Sequence, residues 1–240
     1  MCKVRKLSWD SAFFNKNVYQ IFYCNNCNLN IKIKDLFTRD EAELIYLFST
    51  KQVPHSINFN TLNGQLVDTK ILLEKAIISK HDDIDFSPVT VYNSDKVDRQ
   101  LYSLAFQSGI ESRFRKDVRL PSNSFQRMYE IWIEKSVNHE LADIIFVFKI
   151  ESKIAGFITV KLNNEVGRIG LFAVDEKNRG KKIGKILLQR AERYIYDNNY
   201  NSLIIPTQER NISACNFYKS NGYSIKERTF IYHFINNKTK

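Results

Sequence analysis

The stretch RGKKIGKILLQRAERYI, residues 179–195, places a basic, glycine-bearing loop directly before an amphipathic helical pattern. A strand ending at Val174 precedes this loop, and we expect the helix to begin near Ile183. The first N–H groups of a helix have no partner within it and carry partial positive charge. Because glycine lets the backbone approach a ligand closely, this order predicts a site for a pyrophosphate. The alternative is a basic turn that faces solvent.

The loop differs from two other phosphate-binding motifs. No GKS or GKT follows it, so it is not a Walker loop, and it lacks the GxGxxG spacing of a dinucleotide-binding fold.

The flanking patterns indicate a mixed α/β fold with a mostly antiparallel central sheet between helices. We expect strands at 89–92, 143–162 (a hairpin), 166–174, 202–207 and 229–235, and helices at 94–107, 122–137, 183–195 and 211–221. Towards the N-terminus, residues 1–23 indicate an extended segment with a turn, 36–48 a helix and 66–78 a strand. The charged stretch 79–88 ends in Pro88, which places a domain boundary between a small N-terminal α/β domain (1–86) and a larger domain (87–240).

Composition narrows the function classes. The chain has 240 residues, of which 43% are hydrophobic, and only 8 are glycine and 4 proline, which excludes collagen-like and low-complexity proteins. The net charge of +10 divides into +1 for residues 1–86 and +9 for the remainder. A basic field of this kind attracts nucleic acid, acidic membrane surfaces or phosphorylated small molecules.

The cysteines and the N-terminus bear on location. Four cysteines are present, and the CNNC stretch at 24–27 has no second pair of cysteines or histidines beside it. We therefore expect free thiols in a reducing cytoplasm and no metal site. The sequence shows no targeting signal and no apolar run long enough to span a membrane.

The loop together with TQERNISACNFYKSNGY, residues 207–223, resembles the Gcn5-related N-acetyltransferase (GNAT) superfamily over roughly residues 87–235. The resemblance implies the GNAT fold and acetyl-CoA as co-substrate. It also implies that backbone groups on the 166–174 strand and side chains on the 211–221 helix hold the pantetheine arm. The cofactor-binding residues implied are Phe172, Ala173, Val174, Arg179, Gly180, Lys181, Lys182, Ile183, Gly184, Asn211, Ala214 and Phe217. Lys182 stands where the family usually has glycine, a departure that is tolerable if this residue keeps a negative φ, because backbone N–H groups do the binding.

The same resemblance implies Tyr218 as the general acid that protonates the departing thiolate; Tyr223 is the nearest alternative. Tyr218 and Asn211 are seven residues apart, about two helical turns, so both face nearly the same side of their helix. Backbone N–H groups of the 172–174 strand are expected to stabilise the oxyanion.

Residues 7–21 and 112–137 are similar to the dTDP-fucosamine N-acetyltransferase type, which acetylates a nucleotide-linked amino-dideoxysugar. This implies a nucleotide-sugar partner, a role in lipopolysaccharide O-antigen biosynthesis, and acceptor contacts from Arg113, Phe114, Asp117 and Gln208. Physically, Arg113, Arg115, Lys116 and Arg119 form a basic segment suited to the acceptor's own pyrophosphate. The alternative is a solvated run of charge.

Three other classes of protein stay open: an acetyltransferase for proteins or other amines, a nucleic-acid-binding protein, and a non-catalytic acetyl-CoA sensor. We expect no nucleic-acid partner, because the chain carries no recognised nucleic-acid motif, and no membrane insertion. The sequence leaves the oligomeric state open, a homodimer included.

Overall fold

The computed structural model describes residues 2–24, 27–54, 56–78, 80–81, 83–164 and 166–236. The strands are β1 (Lys3–Lys6), β2 (Val18–Phe22), β3 (Leu44–Ser49), β4 (Gly64–Ala76), β5 (Val89–Val91), β6 (Ile144–Ile150), β7 (Lys153–Asn163), β8 (Val166–Val174), β9 (Ser202–Gln208) and β10 (Ser224–Ile235). The helices are α1 (Ser8–Phe14), α2 (Leu29–Thr38), α3 (Arg99–Ser108), α4 (Arg113–Lys116), α5 (Ser124–Val137), α6 (Ile183–Asp197) and α7 (Ile212–Ser220).

The strands form one sheet in the order β1-β2-β3-β10-β4-β9-β8-β7-β6-β5. The β2/β3 and β8/β9 pairs are parallel, and the others are antiparallel. This confirms the prediction of a mixed, mostly antiparallel sheet flanked by helices. Helices α3 and α5 pack with one core cluster and α6 and α7 with another. Strand β7 is buried along most of its length, as expected for a strand covered on both faces.

The prediction of a helix over 36–48 was wrong. Helix α2 ends at Thr38, Glu41 takes a left-handed φ of 51°, and the apolar run that follows is strand β3. Strand β3 is almost wholly buried because both of its faces are covered: Leu44 and Tyr46 belong to one core cluster, and Ile45 and Leu47 to another. A short, continuous apolar run of this kind does not distinguish a buried strand from a buried helix.

The predicted boundary at residue 86 falls between β4 and β5. Strands from both sides of it nevertheless share the sheet, because β4 lies between β9 and β10. A third core cluster, built on β2, α2, β3 and β10, also contains side chains from both segments. The division of the chain into two domains stays a prediction.

Within the described ranges, no helix combines the length and apolar character needed to cross a bilayer.

Candidate active site

A cleft opens where β8 and β9 separate. The two parallel strands pair only between residues 166–168 and 202–204. Beyond these pairs lies a cavity of about 600 Å³, lined by residues 169–172 of β8 on one side and residues 205–208 of β9 on the other. A large cavity between splayed parallel strands is a natural ligand site.

A β-bulge bends β8 beside this cleft. Ile158 lies opposite Phe172 and Val160 opposite Ile169, so β8 contains one more residue than β7 over this interval. The Thr159 hydroxyl accepts a hydrogen bond from the Leu171 N–H at 2.8 Å, which satisfies the displaced backbone group. Bulges locally disrupt a ladder and bend the strand, so this bulge helps to separate β8 from β9.

The free edge of β8 faces the cleft through alternate residues. The Asp175 N–H donates to the Ala155 carbonyl at 2.9 Å, so backbone groups at positions 175 and 173 point towards β7. Those of Phe172 and Val174 therefore point towards the cleft, in line with the prediction. The prediction for Ala173 is not supported, because its N–H and C=O face Phe157 of β7.

The 179–184 loop presents a row of backbone N–H groups. Within the described chain, no acceptor is found for the N–H groups of residues 180–185. Gly180 has a φ of +80°, and Lys182, the N-cap of α6, provides no side-chain cap. Successive N–H groups at a helix start form an anion site. The geometry thus supports the predicted pyrophosphate site.

Two details of this loop differ from expectation. Lys182 has a φ of 61°, not a negative φ, which is the conformation that glycine adopts most easily. Arg179 is bound to protein: its Nε donates to the Val174 carbonyl at 3.2 Å and its Nη2 to Gln107 Oε1 at 3.4 Å. Arg179 therefore ties the loop to the end of β8.

Helix α7 supplies the opposite wall. Asn211 caps the helix by accepting from the Ala214 N–H at 3.2 Å, and Asn211, Ala214 and Tyr218 all line the cavity. Phe217 lies beside the cavity, with its ring centroid 5.9 Å from that of Phe172. The same Phe217 ring lies next to Gly184 of the loop. Helix α7 thus connects the loop to the cleft.

Tyr218 is buried against Phe172 and Phe217. Burial, followed by the nearby Cys215 thiol, raises the pKa of its phenol well above the usual range. Its hydroxyl has no hydrogen-bond partner among the described residues. The phenol is therefore protonated at neutral pH and able to donate into the cavity.

Of the predicted acceptor residues, Arg113, Phe114 and Gln208 line the cavity. The guanidinium of Arg113 lies 4.4 Å from the Phe114 ring centroid and 5.3 Å from that of Tyr46. The other cations of the basic segment face elsewhere. Arg115 lies over Phe125, Lys116 pairs with Glu111 at 3.1 Å, and Arg119 pairs with Asp117 at 2.7 Å.

The structure does not support the predicted contact between Asp117 and the acceptor, because Asp117 is buried and is not among the residues that line the cavity. Its side chain is 0% exposed, and its oxygens accept hydrogen bonds from Arg119 Nε and His233 Nδ1, each at 2.7 Å. Burial raises the pKa of Asp117, but these two partners outweigh it and hold the pKa well below its usual range. Burial also lowers the pKa of His233 to about 4, so the imidazole is neutral and donates from Nδ1. Asp117 thus joins α4 to β10.

Sequence reasoning missed part of the site. Asp68 and Lys70 of β4, Tyr129 and Trp132 of α5, and Arg168 of β8 also line the cavity. A lone aspartate within the mostly apolar β4 was the available signal, since an unpaired buried carboxylate is costly. Strand β4 reaches the cavity because it pairs with β9 and β10, and both of these strands are distant from it in sequence.

Known proteins resemble this chain in sequence and in fold. Residues 100–223, more than half of the chain, match the model of the acetyltransferase (GNAT) family. Streptothricin acetyltransferase A of Bacillus subtilis is 29% identical over 126 residues, which cover 50% of this chain and 69% of that protein. N-alpha-acetyltransferase 30 of Xenopus laevis is 26% identical over 121 residues, 48% of this chain but only 44% of that protein.

Solved structures share the fold over almost the whole chain. A conserved protein of unknown function from Staphylococcus epidermidis aligns with a TM-score of 0.65 and 11% identity over 96% of this chain and 89% of its own. A GCN5-related N-acetyltransferase from Sphaerobacter thermophilus aligns with a TM-score of 0.57 and 14% identity, over 98% of this chain and 76% of its own. These structures show that the chain shares their fold, and the match to the family model shows that it belongs to the acetyltransferase (GNAT) family and is an acetyl-CoA-dependent N-acetyltransferase.

Proposed function

We propose that this enzyme acetylates the amine of a nucleotide-linked amino-dideoxysugar of the dTDP type. The observation that carries the proposal is the charge of the cavity. Lys70, Arg113, Lys161 and Arg168 line it against two carboxylates, Asp68 and Glu140. Burial, followed by the charges of Arg168 and Arg113, lowers the pKa of Lys70. Cations this close and this buried favour an acceptor that carries its own negative charge.

The donor has a site of matching chemistry. The N–H groups of residues 180–185 suit the pyrophosphate of acetyl-CoA, and the free edge of β8 at Phe172 and Val174 suits the amides of its pantetheine arm. Asn211, whose Oδ1 caps α7, has its amide nitrogen available to the same arm. Acetyl-CoA would supply the acetyl thioester, and these residues would hold it so that the thioester lies in the cleft.

The remaining parts of the reaction fall to neighbouring groups. The Phe172 N–H faces the cleft and would donate to the developing oxyanion. Tyr218, which is protonated and lines the cavity, would donate its proton to the departing thiolate. Holding both substrates in one cavity supplies a large share of the acceleration by orientation.

The acceptor is tested by mass spectrometry after incubation with acetyl-CoA and a panel of amines. The panel contains dTDP-4-amino-4,6-dideoxygalactose, UDP-linked amino sugars, streptothricin and a peptide with a free N-terminus. We expect the kcat/KM for the dTDP-sugar to be the highest, and reactions without enzyme serve as the blank. Acetylation of only streptothricin or the peptide would contradict the proposal of a nucleotide-sugar acceptor. The acceptor would then be of the kind named for one of the similar proteins.

A further inference from the structure

Several buried polar atoms of α4, β4 and β10 lack a partner within the described part of the chain. They include Asp68 Oδ1, Arg113 Nε and His233 Nε2. Buried polar atoms are almost always hydrogen-bonded, so such a group calls for an explanation. These three belong to one region: β10 carries His233 and pairs with β4, which carries Asp68, and the Tyr46 ring lies between His233 at 4.7 Å and Arg113 at 5.3 Å.

The backbone of β4 turns Asp68 inwards. Opposite β10, Asp68 pairs with Ile231 and Leu66 with Tyr232, so Val67 is an extra residue in β4. Because of this bulge, two consecutive side chains, Val67 and Asp68, are both buried, which a regular strand does not allow when one face is open. Arg210 donates to the Val67 carbonyl and holds the bulge in place. Asp68 thereby lines the same cavity as Tyr218.

The surroundings of Asp68 are charged on several sides. Arg113 of α4, Arg210 after β9 and Lys70 of β4 face it with positive charge, and the Tyr129 phenol of α5 lies nearby. Burial raises the pKa of Asp68 to about 6, and the two arginines lessen this rise. At neutral pH the group is an ionised carboxylate that is more basic than an ordinary aspartate, which suits proton abstraction near that pH.

We propose that Asp68 receives the ammonium group of the acceptor and takes its proton, so that β4 of the N-terminal segment carries a catalytic residue. The carboxylate supplies the acceptor's ammonium with the opposite charge it needs, while the neighbouring cations suit an anionic group elsewhere on the same molecule. This inference rests on the proposed amine acetylation but not on the identity of the sugar.

The protons and electrons balance as follows. One ammonium proton passes to Asp68, and the amine nitrogen then uses its lone pair to bond to the thioester carbonyl carbon. The C–S bond breaks and its electron pair leaves with sulfur, which takes the proton of Tyr218. The nitrogen, now part of the amide, gives its second excess proton to the tyrosinate, and Asp68 releases its proton to water. The products are the acetamide, free CoA and one proton.

The test compares Asp68→Asn with wild type over a range of pH. In wild type, kcat/KM for the acceptor should rise as pH increases through about 6, as Asp68 ionises. Asp68→Asn should lower kcat/KM by about 10²-fold or more and lose this rise. Its activity should instead increase with pH towards the pKa of the acceptor's own amine, because only the free amine then reacts. Acetyl-CoA affinity should not change.

Two further variants serve as a rescue and as a matched control. Asp68→Glu retains a carboxylate and should recover part of the activity together with the pH dependence near 6. Asp95→Asn makes the same chemical change at an exposed position and should leave the profile unaltered. Acetyl-CoA affinity measured by calorimetry shows that each variant is folded.

The outcomes separate this inference from the acceptor proposal. An Asp68→Asn enzyme with wild-type kcat/KM and a wild-type pH profile would overturn the role of Asp68 while the acceptor stands. If wild type ignores nucleotide sugars but acetylates another amine of the panel, the acceptor proposal fails and Asp68 is tested on that amine. A wild-type enzyme that acetylates no amine would overturn both.

Discussion

Tyr218 gives the most direct prediction at the level of a single residue. Its phenol lines the cavity and stays protonated because burial raises its pKa. Tyr218→Phe should lower kcat by about 10²-fold or more and leave acetyl-CoA affinity unchanged, since only the proton donor is removed. Steady-state kinetic assays measure kcat, and calorimetry measures the affinity for acetyl-CoA. Tyr194→Phe, outside the cavity, is the control. A Phe variant with near wild-type turnover would exclude Tyr218 from proton transfer.

Arg113 tests the charge of the acceptor. Of the cations in the basic segment 113–119, Arg113 lines the cavity. Arg115 lies over the Phe125 ring and does not line the cavity. A charge-assisted hydrogen bond contributes about 1.5–3 kcal/mol, so Arg113→Ala should raise the acceptor KM by roughly tenfold or more. The KM for acetyl-CoA should stay constant, and Arg115→Ala should change neither. Equal increases in both KM values would indicate that Arg113 only supports the fold.

The residues proposed for the donor site could be named from the sequence, whereas most of those that line the rest of the cavity could not. The proposed donor site lies in three continuous stretches, 172–174, 179–184 and 211–218, whose strand pattern, glycines and cap are recognisable locally. Asp68, Lys70 and Arg168 come from separate strands and meet only in the folded sheet. Asp117 was misjudged because its partner His233 lies 116 residues away.

At the level of elements, the loop before α6 depends on backbone geometry. A Cβ at Gly184 would meet Phe217 and Val174 at 3.5 Å, an ordinary contact, so Gly184→Ala should bind acetyl-CoA. Gly184→Glu adds a negative charge beside the unpaired N–H groups and should abolish binding. Calorimetry with CoA checks both variants. Equal affinities for the Ala and Glu variants would exclude this helix start as the pyrophosphate site.

Lys182 tests the conformation of the same loop. Its φ of 61° lies in the left-handed region, which costs a residue with a Cβ about 1–2 kcal/mol. Lys182→Gly should therefore unfold at a higher temperature than Lys182→Ala, although both remove the same charge. If φ were negative, Ala would be the more stable variant, because glycine loses more conformational entropy on folding. The unfolding temperatures of the Gly and Ala variants therefore show whether φ at position 182 is positive or negative.

Elements with a strong periodic pattern were predicted well, and the exceptions have a physical cause. The bounds predicted for the 166–174 strand agree with β8, and those for the 122–137 helix nearly agree with α5. The prediction for 36–48 failed because β3 is covered on both faces, so its residues show no alternation between polar and apolar side chains. Neither bulge, at Val67 or beside Gly170, left a sequence signal, since each depends on the register of a distant strand.

For the whole molecule, β4 links the two halves of the chain. It pairs with β9 along residues 70–76 and with β10 along residues 64–74, and it brings Asp68 to the cavity. The segment 87–240, whose net charge is +9, contributes Arg113, Lys161 and Arg168 to the cavity lining, and the nearly neutral segment 1–86 contributes Asp68 and Lys70. The N-terminal segment thus forms part of the wall of the cavity.

A fragment of residues 87–240 tests whether the C-terminal segment folds alone. Without β4, strands β9 and β10 lose their common neighbour, and the fully buried Ile71 and Leu73 leave the core. Burying one such side chain contributes about 1.5–3 kcal/mol, and a domain is stable by only about 5–15 kcal/mol. We expect the fragment to be unfolded by circular dichroism and unable to bind acetyl-CoA, and co-expression with residues 1–86 to restore both. A fragment that folds cooperatively and binds acetyl-CoA alone would instead establish the boundary at residue 86 as a true domain boundary.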